Sequence, residues 1–398
     1  MIKIRLSIMM FIQYAIWGAW APILGLDLGN LGLTGLQIGA VYSTLPLAVM
    51  ISSFVGGQIA DRWLPTQIFL GLCHLAGAGA LWQASAARDF GGMYMWMFLW
   101  SLAFAPTLSL TNSICFVHLG DSDKEFPLIR TLGTIGWIAA GMGLTAWRSG
   151  LGTSIEGRID SLAMAAVFSL ALGLGSFFLP STPPASKSTS PWAFLEALAL
   201  LKNKNIAFFL ILTTIATSEF QFFYVLSAPF LNAAGVTENL VPITKTVSQG
   251  CEILVLAVLL PILLPRLGVR LCLLIGLAAW PLRYLIFALQ KPLWLVIASL
   301  GLHGFGFAFF FVVAFMYLDR VAPKDIRASA QALASFATWG FGMFFGSYFC
   351  GWVKDHYTDA ATQLVDWRMV FIVPTIITTA CAVALALWFK EEPAAASS

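Results

Sequence analysis

Apolar runs of about twenty residues recur along the whole chain, broken by short polar joints. A helix that crosses a bilayer needs roughly 20 such residues at about 1.5 Å rise each. On that measure the pattern predicts twelve membrane-spanning helices. The first six fall near 4–24, 37–60, 66–86, 92–117, 128–148 and 159–180. The second six fall near 205–232, 239–264, 269–289, 292–318, 327–353 and 366–389. The longest polar stretch, Ser181 to Asn205, lies between the two sets and contains STPPASKSTSP, a Pro/Ser segment expected to be flexible. Trp192 to Leu201 after it is expected to form a short interfacial helix. The expected layout is a six-helix half over 1–180, a linker over 181–204 and a second six-helix half over 205–398.

Composition agrees with an all-α membrane protein. Of 398 residues, 59% are hydrophobic and only 10% charged, where a soluble domain carries about 25% charge. The net charge of +3 is small, and no basic run with interleaved aromatics points to nucleic acid. The six cysteines sit in or beside apolar runs without paired spacing, so they read as packing residues. Four scattered histidines make no metal site. No GxSxG, P-loop or HExxH is present, so neither an enzyme nor a cofactor is expected. Lys3 and Arg5 precede an apolar run too long for a signal peptide and lacking an A-x-A site, which reads as an uncleaved first span. With the N-terminus in the cytoplasm, that side holds about twice as many Lys and Arg as the other, so both termini and the linker are expected there.

Polar residues inside the spans carry the chemistry. Arg130, Thr134 and Trp137 stand at i, i+4 and i+7 and share one helix face. Two readings of Arg130 are open: it snorkels to the interface, or its guanidinium lines a polar cavity. Lys245, Gln249 and Glu252 repeat the spacing in span eight, either as a structural ion network or as a functional face. Span seven adds Glu219, Gln221 and Tyr224; span one Gln13, Tyr14 and Trp17; span four Thr111 and Asn112. Span ten brings His303 and the aromatics Phe305, Phe307, Phe309, Phe310 and Phe311, most of them expected to face lipid or to pack. A cavity rich in amides and aromatic rings, with one Arg and one Glu, suits a flat, polar, neutral ligand. The residues alone equally admit a sugar, a drug or an organic anion.

The joint GGQIADRWLP (56–65) resembles the G-x-x-x-D-R loop of the major facilitator superfamily, with Asp61 and Arg62 as charge partners that gate the cytoplasmic side. PRLGVR (265–270) is a degenerate counterpart. The segments FIQYAIWGAW (11–20), IGAVYSTL (38–45), FAPTLSLTNSI (104–114), FPLIRTLGTIGW (126–137), SQGCE (248–252) and IRASAQ (326–331) resemble the nucleoside:proton symporters of that superfamily. The resemblance implies the major facilitator fold, twelve helices in two halves, in the inner membrane of a bacterium. It implies import of a nucleoside with protons by alternating access, with no cofactor and with a monomer as the expected state. It places the substrate on Arg130, Thr134, Trp137, Gln221, Gln249, Glu252 and Phe307. Tyr224, His303 and Ala308 depart from the pattern, which has Asn, Tyr and Asp there, and Lys245 replaces an apolar residue. With the span-ten carboxylate gone, Glu252 and His303 become the expected proton carriers. The alternative is a major facilitator transporter of another polar or anionic solute, such as a sugar or an organic acid.

Overall fold

The computed structural model describes residues 2–151, 157–184, 197–323 and 326–392. Among them there is no strand beyond a single isolated bridge between Thr358 and Val365. The chain divides into two compact units. One comprises Met1–Leu33, Ala40–Pro191 and Val236–Thr246; the other comprises Thr34–Gly39, Trp192–Gly235 and Val247–Ser398.

The first unit is built from α1 (Ile2–Trp20), α2 (Leu24–Asn30), α3 (Gly35–Arg62), α4 (Thr66–Ala86), α5 (Phe90–His118), α6 (Ser122–Ala146) and α7 (Asp160–Ser176). Asp89 caps α5 by accepting from the Gly92 N–H at 2.9 Å, and Asp121 caps α6 through the Lys124 N–H at 3.2 Å. Such side chains satisfy donors that a helix start leaves open. α1 packs along α6 and α7, and α4 along α5 and α7. Gly136 sets the closeness of α1 to α6: a Cβ there would stand 2.1 Å from the Phe11 carbonyl oxygen. Only a glycine lets two membrane helices touch through their backbones. α6 runs on into a π-helical turn, Trp147–Leu151.

The second unit contains α8 (Lys204–Ala233), most of α9 (Val241–Leu254), α10 (Leu260–Leu289), α11 (Leu293–Ser299), α12 (Leu302–Phe305), α13 (Val313–Val321), α14 (Arg327–Ser335), α15 (Met343–His356) and α16 (Trp367–Trp388). π-helical segments at Val255–Leu259, Gly306–Val312 and Phe336–Gly342 join neighbouring helices into longer rods. Local periodicity foretells none of them, because a π turn changes the register by a single residue. Gly268, at φ +74, breaks the helical run within PRLGVR. That left-handed conformation is one that glycine adopts at no steric cost. The first residues of α3, within Thr34–Gly39, belong to this second unit, where Asp355 at the end of α15 accepts from Gly35 N at 2.5 Å and Leu36 N at 2.7 Å.

Eight helical stretches among the described residues are long and apolar enough to cross a membrane. One of them, Glu238–Leu289, has 52 residues, about twice the length one pass requires. The segment expected as an interfacial helix lies partly outside the described residues; from Ala197 to Lys202 the chain forms a short 3₁₀ turn. The side chains of the expected gate, Asp61 and Arg62, also lie outside the described residues.

Candidate functional site

In the first unit Arg130 is half-buried near the start of α6, and its guanidinium lies 4.0 Å over the Tyr14 ring. Gly133, one turn on, makes room for that stack. A Cβ there would come within 2.6 Å of the Tyr14 ring and 3.1 Å of Arg130 Nη1. The stack supplies a cation–π attraction but accepts none of the guanidinium's hydrogen bonds. None of the ion pairs among the described residues includes Arg130. Thr134 is half-buried one turn further, and Trp137 is buried with its ring edge-on to Trp17 at 5.5 Å. Lys245 is only 3% exposed and belongs to this unit.

Below these residues the unit holds a neutral polar chain. Gln13 donates to Thr107 Oγ1 at 2.7 Å, and its Oε1 lies 2.8 Å from His74 Nε2. Ser169 donates to the His74 carbonyl oxygen at 2.8 Å. At the far end of α1 and α2, Arg148 joins Asp27 at 2.9 Å and Asp160 at 2.5 Å, while Ser161 donates to Asp27 at 2.6 Å. Arg148, His74 and Asp27 are not among the residues that the sequence marks as candidates. Partners a hundred residues apart leave no local signal.

In the second unit three of the candidate residues, Glu252, Tyr224 and Phe307, meet His303. Its neighbour Gly304 lets α12 abut α9, since a Cβ there would come 2.7 Å from the Cys251 carbonyl group and 2.8 Å from Glu252 N. That approach brings His303 Nε2 to 3.5 Å from Glu252 Oε2. The imidazole stacks on Phe223 at 4.8 Å, Phe220 at 5.3 Å and Phe307 at 6.2 Å. Tyr224 meets it edge-on at 6.3 Å. Glu252 keeps 12% of its side chain exposed, whereas His303 is fully buried. A carboxylate beside an imidazole can hold one proton between them and pass it on. Gln249 is buried on the same helix as Glu252. Gln221 is buried with its amide already engaged, donating to Ser347 Oγ at 2.7 Å and to the Met343 carbonyl at 3.1 Å. Of the span-ten aromatics, Phe309, Phe310 and Phe311 are buried within the unit, so these three pack instead of facing lipid. Phe307 stands in the π-helical segment, half-buried.

The all-helical fold is that of major facilitator transporters. A family model described as nucleoside H+ symporter matches residues 1–394, and the chain belongs to that family. It is 32% identical over 402 residues to the putative nucleoside transporter YegT of Escherichia coli, covering 97% of this chain and 93% of the relative. It is likewise 32% identical to the xanthosine permease of Escherichia coli over 94% of this chain and 92% of that protein. The crystal structure of nucleoside transporter NupG superposes with a TM-score of 0.88 at 30% identity, covering 98% of this chain and 100% of that one. The protein is therefore a multi-pass membrane transporter that imports nucleosides with protons, and not an enzyme.

Proposed function

We propose that Arg130, Thr134, Trp137, Gln221, Tyr224, Gln249, Glu252, His303 and Phe307 are the residues that recognise the nucleoside. An aromatic ring offers a face on which a base stacks. A glutamine amide offers a donor and an acceptor side by side, matching a base edge, and the Arg130 fork suits ribose hydroxyls or base carbonyls. The coupling proton belongs to the Glu252–His303 pair, which takes over from the missing carboxylate at Ala308. The observation that carries this reading is the 3.5 Å approach of Glu252 to a fully buried imidazole.

The chain is read as twelve spans with both termini in the cytoplasm of a bacterium, acting as a monomer by alternating access in the inner membrane. Asp61 and Arg62 gate its cytoplasmic side. The eight apolar stretches support that count once Glu238–Leu289 is divided at Gly268 and the shorter apolar helix Asp160–Ser176, the α6 helix and the α14–α15 rod are added.

Counterflow and gradient-driven uptake in the same proteoliposomes test the assignment. Glu252→Gln keeps exchange of labelled nucleoside but loses accumulation across a pH gradient, about tenfold per proton at one pH unit. Undiminished accumulation removes Glu252 as carrier. Competition by sugars or organic acids stronger than by nucleosides favours the other solute class.

A further inference from the structure

A second ionisable pair lies in the second unit, apart from Glu252 and His303. Glu219 is near the middle of α8, 2% exposed, and its Oε2 has no hydrogen-bond partner among the described residues. Its Oε1 has only the Ser218 hydroxyl at 3.5 Å, and that hydroxyl already gives its single proton to the Ile215 carbonyl at 2.7 Å. Tyr284 of α10, Cys350 of α15 and Cys381 of α16 stand near enough to feel a charge on Glu219, and none of the ion pairs among the described residues includes it. A carboxylate ion in such a place would have neither donor nor counter-charge, a cost that membrane helices avoid. The neutral acid fits the surroundings.

Arg283 of α10 is the complement. It is 0% exposed, and Nε and Nη1 have no partner among the described residues. Its guanidinium lies 4.2 Å over Phe223 and 5.0 Å over Tyr284, while Nη2 reaches the Tyr284 hydroxyl at 3.4 Å. That hydroxyl donates to the Glu219 backbone carbonyl at 2.7 Å. The Tyr284 hydroxyl therefore joins the Arg283 guanidinium to the Glu219 backbone, and none of the ion pairs among the described residues includes Glu219 or Arg283. Two groups that served only to clamp helices together would be in contact. These two make no hydrogen bond or ion pair with each other, and Tyr284 touches the guanidinium of one and the backbone of the other.

We propose that Glu219 is a further proton-carrying residue of the symport, with Arg283 as the charge that receives it when it ionises. In the loaded state the proton sits on the Glu219 carboxyl as an O–H. On unloading, that O–H breaks, the proton passes to water, and the carboxylate swings past Tyr284 to accept from the open N–H groups of Arg283. Reloading takes a proton from water on the opposite side and releases Arg283 to its aromatic faces. The device rests on proton symport itself and not on the assignment of Glu252.

The test uses the full chain in proteoliposomes, with wild type, Glu219→Gln, Glu219→Asp and Glu252→Gln compared. Counterflow of labelled nucleoside measures exchange, and the pH gradient at which net flux vanishes gives protons per nucleoside. Glu219→Gln is expected to keep counterflow within about twofold and to carry one proton fewer, which lowers accumulation about tenfold at one pH unit. Glu219→Asp restores the wild-type ratio. An infrared band of a protonated carboxyl, present in wild type and in Glu252→Gln, is absent in Glu219→Gln. If Glu219→Gln does not fold, the same band in Glu219→Asp at a shifted frequency carries the test. An unchanged proton ratio in Glu219→Gln, or no protonated-carboxyl band in wild type, overturns the proposal. An unchanged ratio in Glu252→Gln alone overturns only the assignment of Glu252.

Discussion

The two units bury polar groups in different ways. In the first, the buried charges are paired: Gln13 serves both Thr107 and His74, and Arg148 answers the carboxylates of Asp27 and Asp160, although its Nη1 and the Trp20 and Trp100 indoles have no hydrogen-bond partner among the described residues. In the second, ionisable groups are buried with incomplete partners: Glu219 and Arg283 have open atoms, and Glu252 meets His303 at 3.5 Å. A satisfied network has one stable arrangement and rigidifies what it joins. An unsatisfied buried charge has a second arrangement of similar energy, which is what a protonation cycle requires. The contrast fits scaffolding for the buried network of the first unit and the coupling role proposed for residues of the second. Arg130 differs, a half-buried first-unit cation that stacks on Tyr14 and enters none of the ion pairs among the described residues.

The largest effect expected from this contrast is on stability. Arg148→Ala leaves Asp27 and Asp160 as unpaired buried carboxylates and costs about 3–5 kcal/mol. Thermal unfolding in detergent measures it, and a melting temperature equal to wild type would show that this triad is not a structural lock. Next comes Arg130→Ala. Losing one or two charge-assisted hydrogen bonds of about 1.5–3 kcal/mol weakens nucleoside affinity roughly 10- to 100-fold, with no loss of melting temperature. Arg130→Lys does not rescue it, because an ammonium lacks the planar fork. Equilibrium binding of labelled nucleoside reads this directly, and wild-type affinity in Arg130→Ala would return the residue to an interfacial role. The smallest is Gln13→Ala, which strands Thr107 and His74 and lowers stability by about 1–3 kcal/mol. Counterflow per folded molecule stays at the wild-type level. A change in proton ratio in Gln13→Ala would erase the division between scaffold and coupling unit.

How much of this was legible beforehand differs between fold and site. Apolar length and the position of a polar linker are one-dimensional properties, so the membrane class, the all-helical fold and the family could be read from the chain. Arg130, Thr134 and Trp137 could be named together because i, i+4 and i+7 fall on one face whatever the helix packs against. The same reasoning paired Gln221 with Tyr224. It gave no sign that the Gln221 amide is held by Ser347 and Met343, since that depends on which neighbour the face meets. Lys245 could be named for its helix face, and only packing decided that it is buried.

By itself, then, the sequence determined the solvent in which this chain folds, its helices and its family, because these follow from composition, period and contiguous motifs. Only the tertiary structure decided which buried groups are answered and which are left open. Glycines such as Gly304 set how near two helices come, and that distance decides whether His303 reaches Glu252. Glu219 and Arg283 stand 64 positions apart in sequence, and their shared neighbour Tyr284 comes from packing that no local pattern encodes.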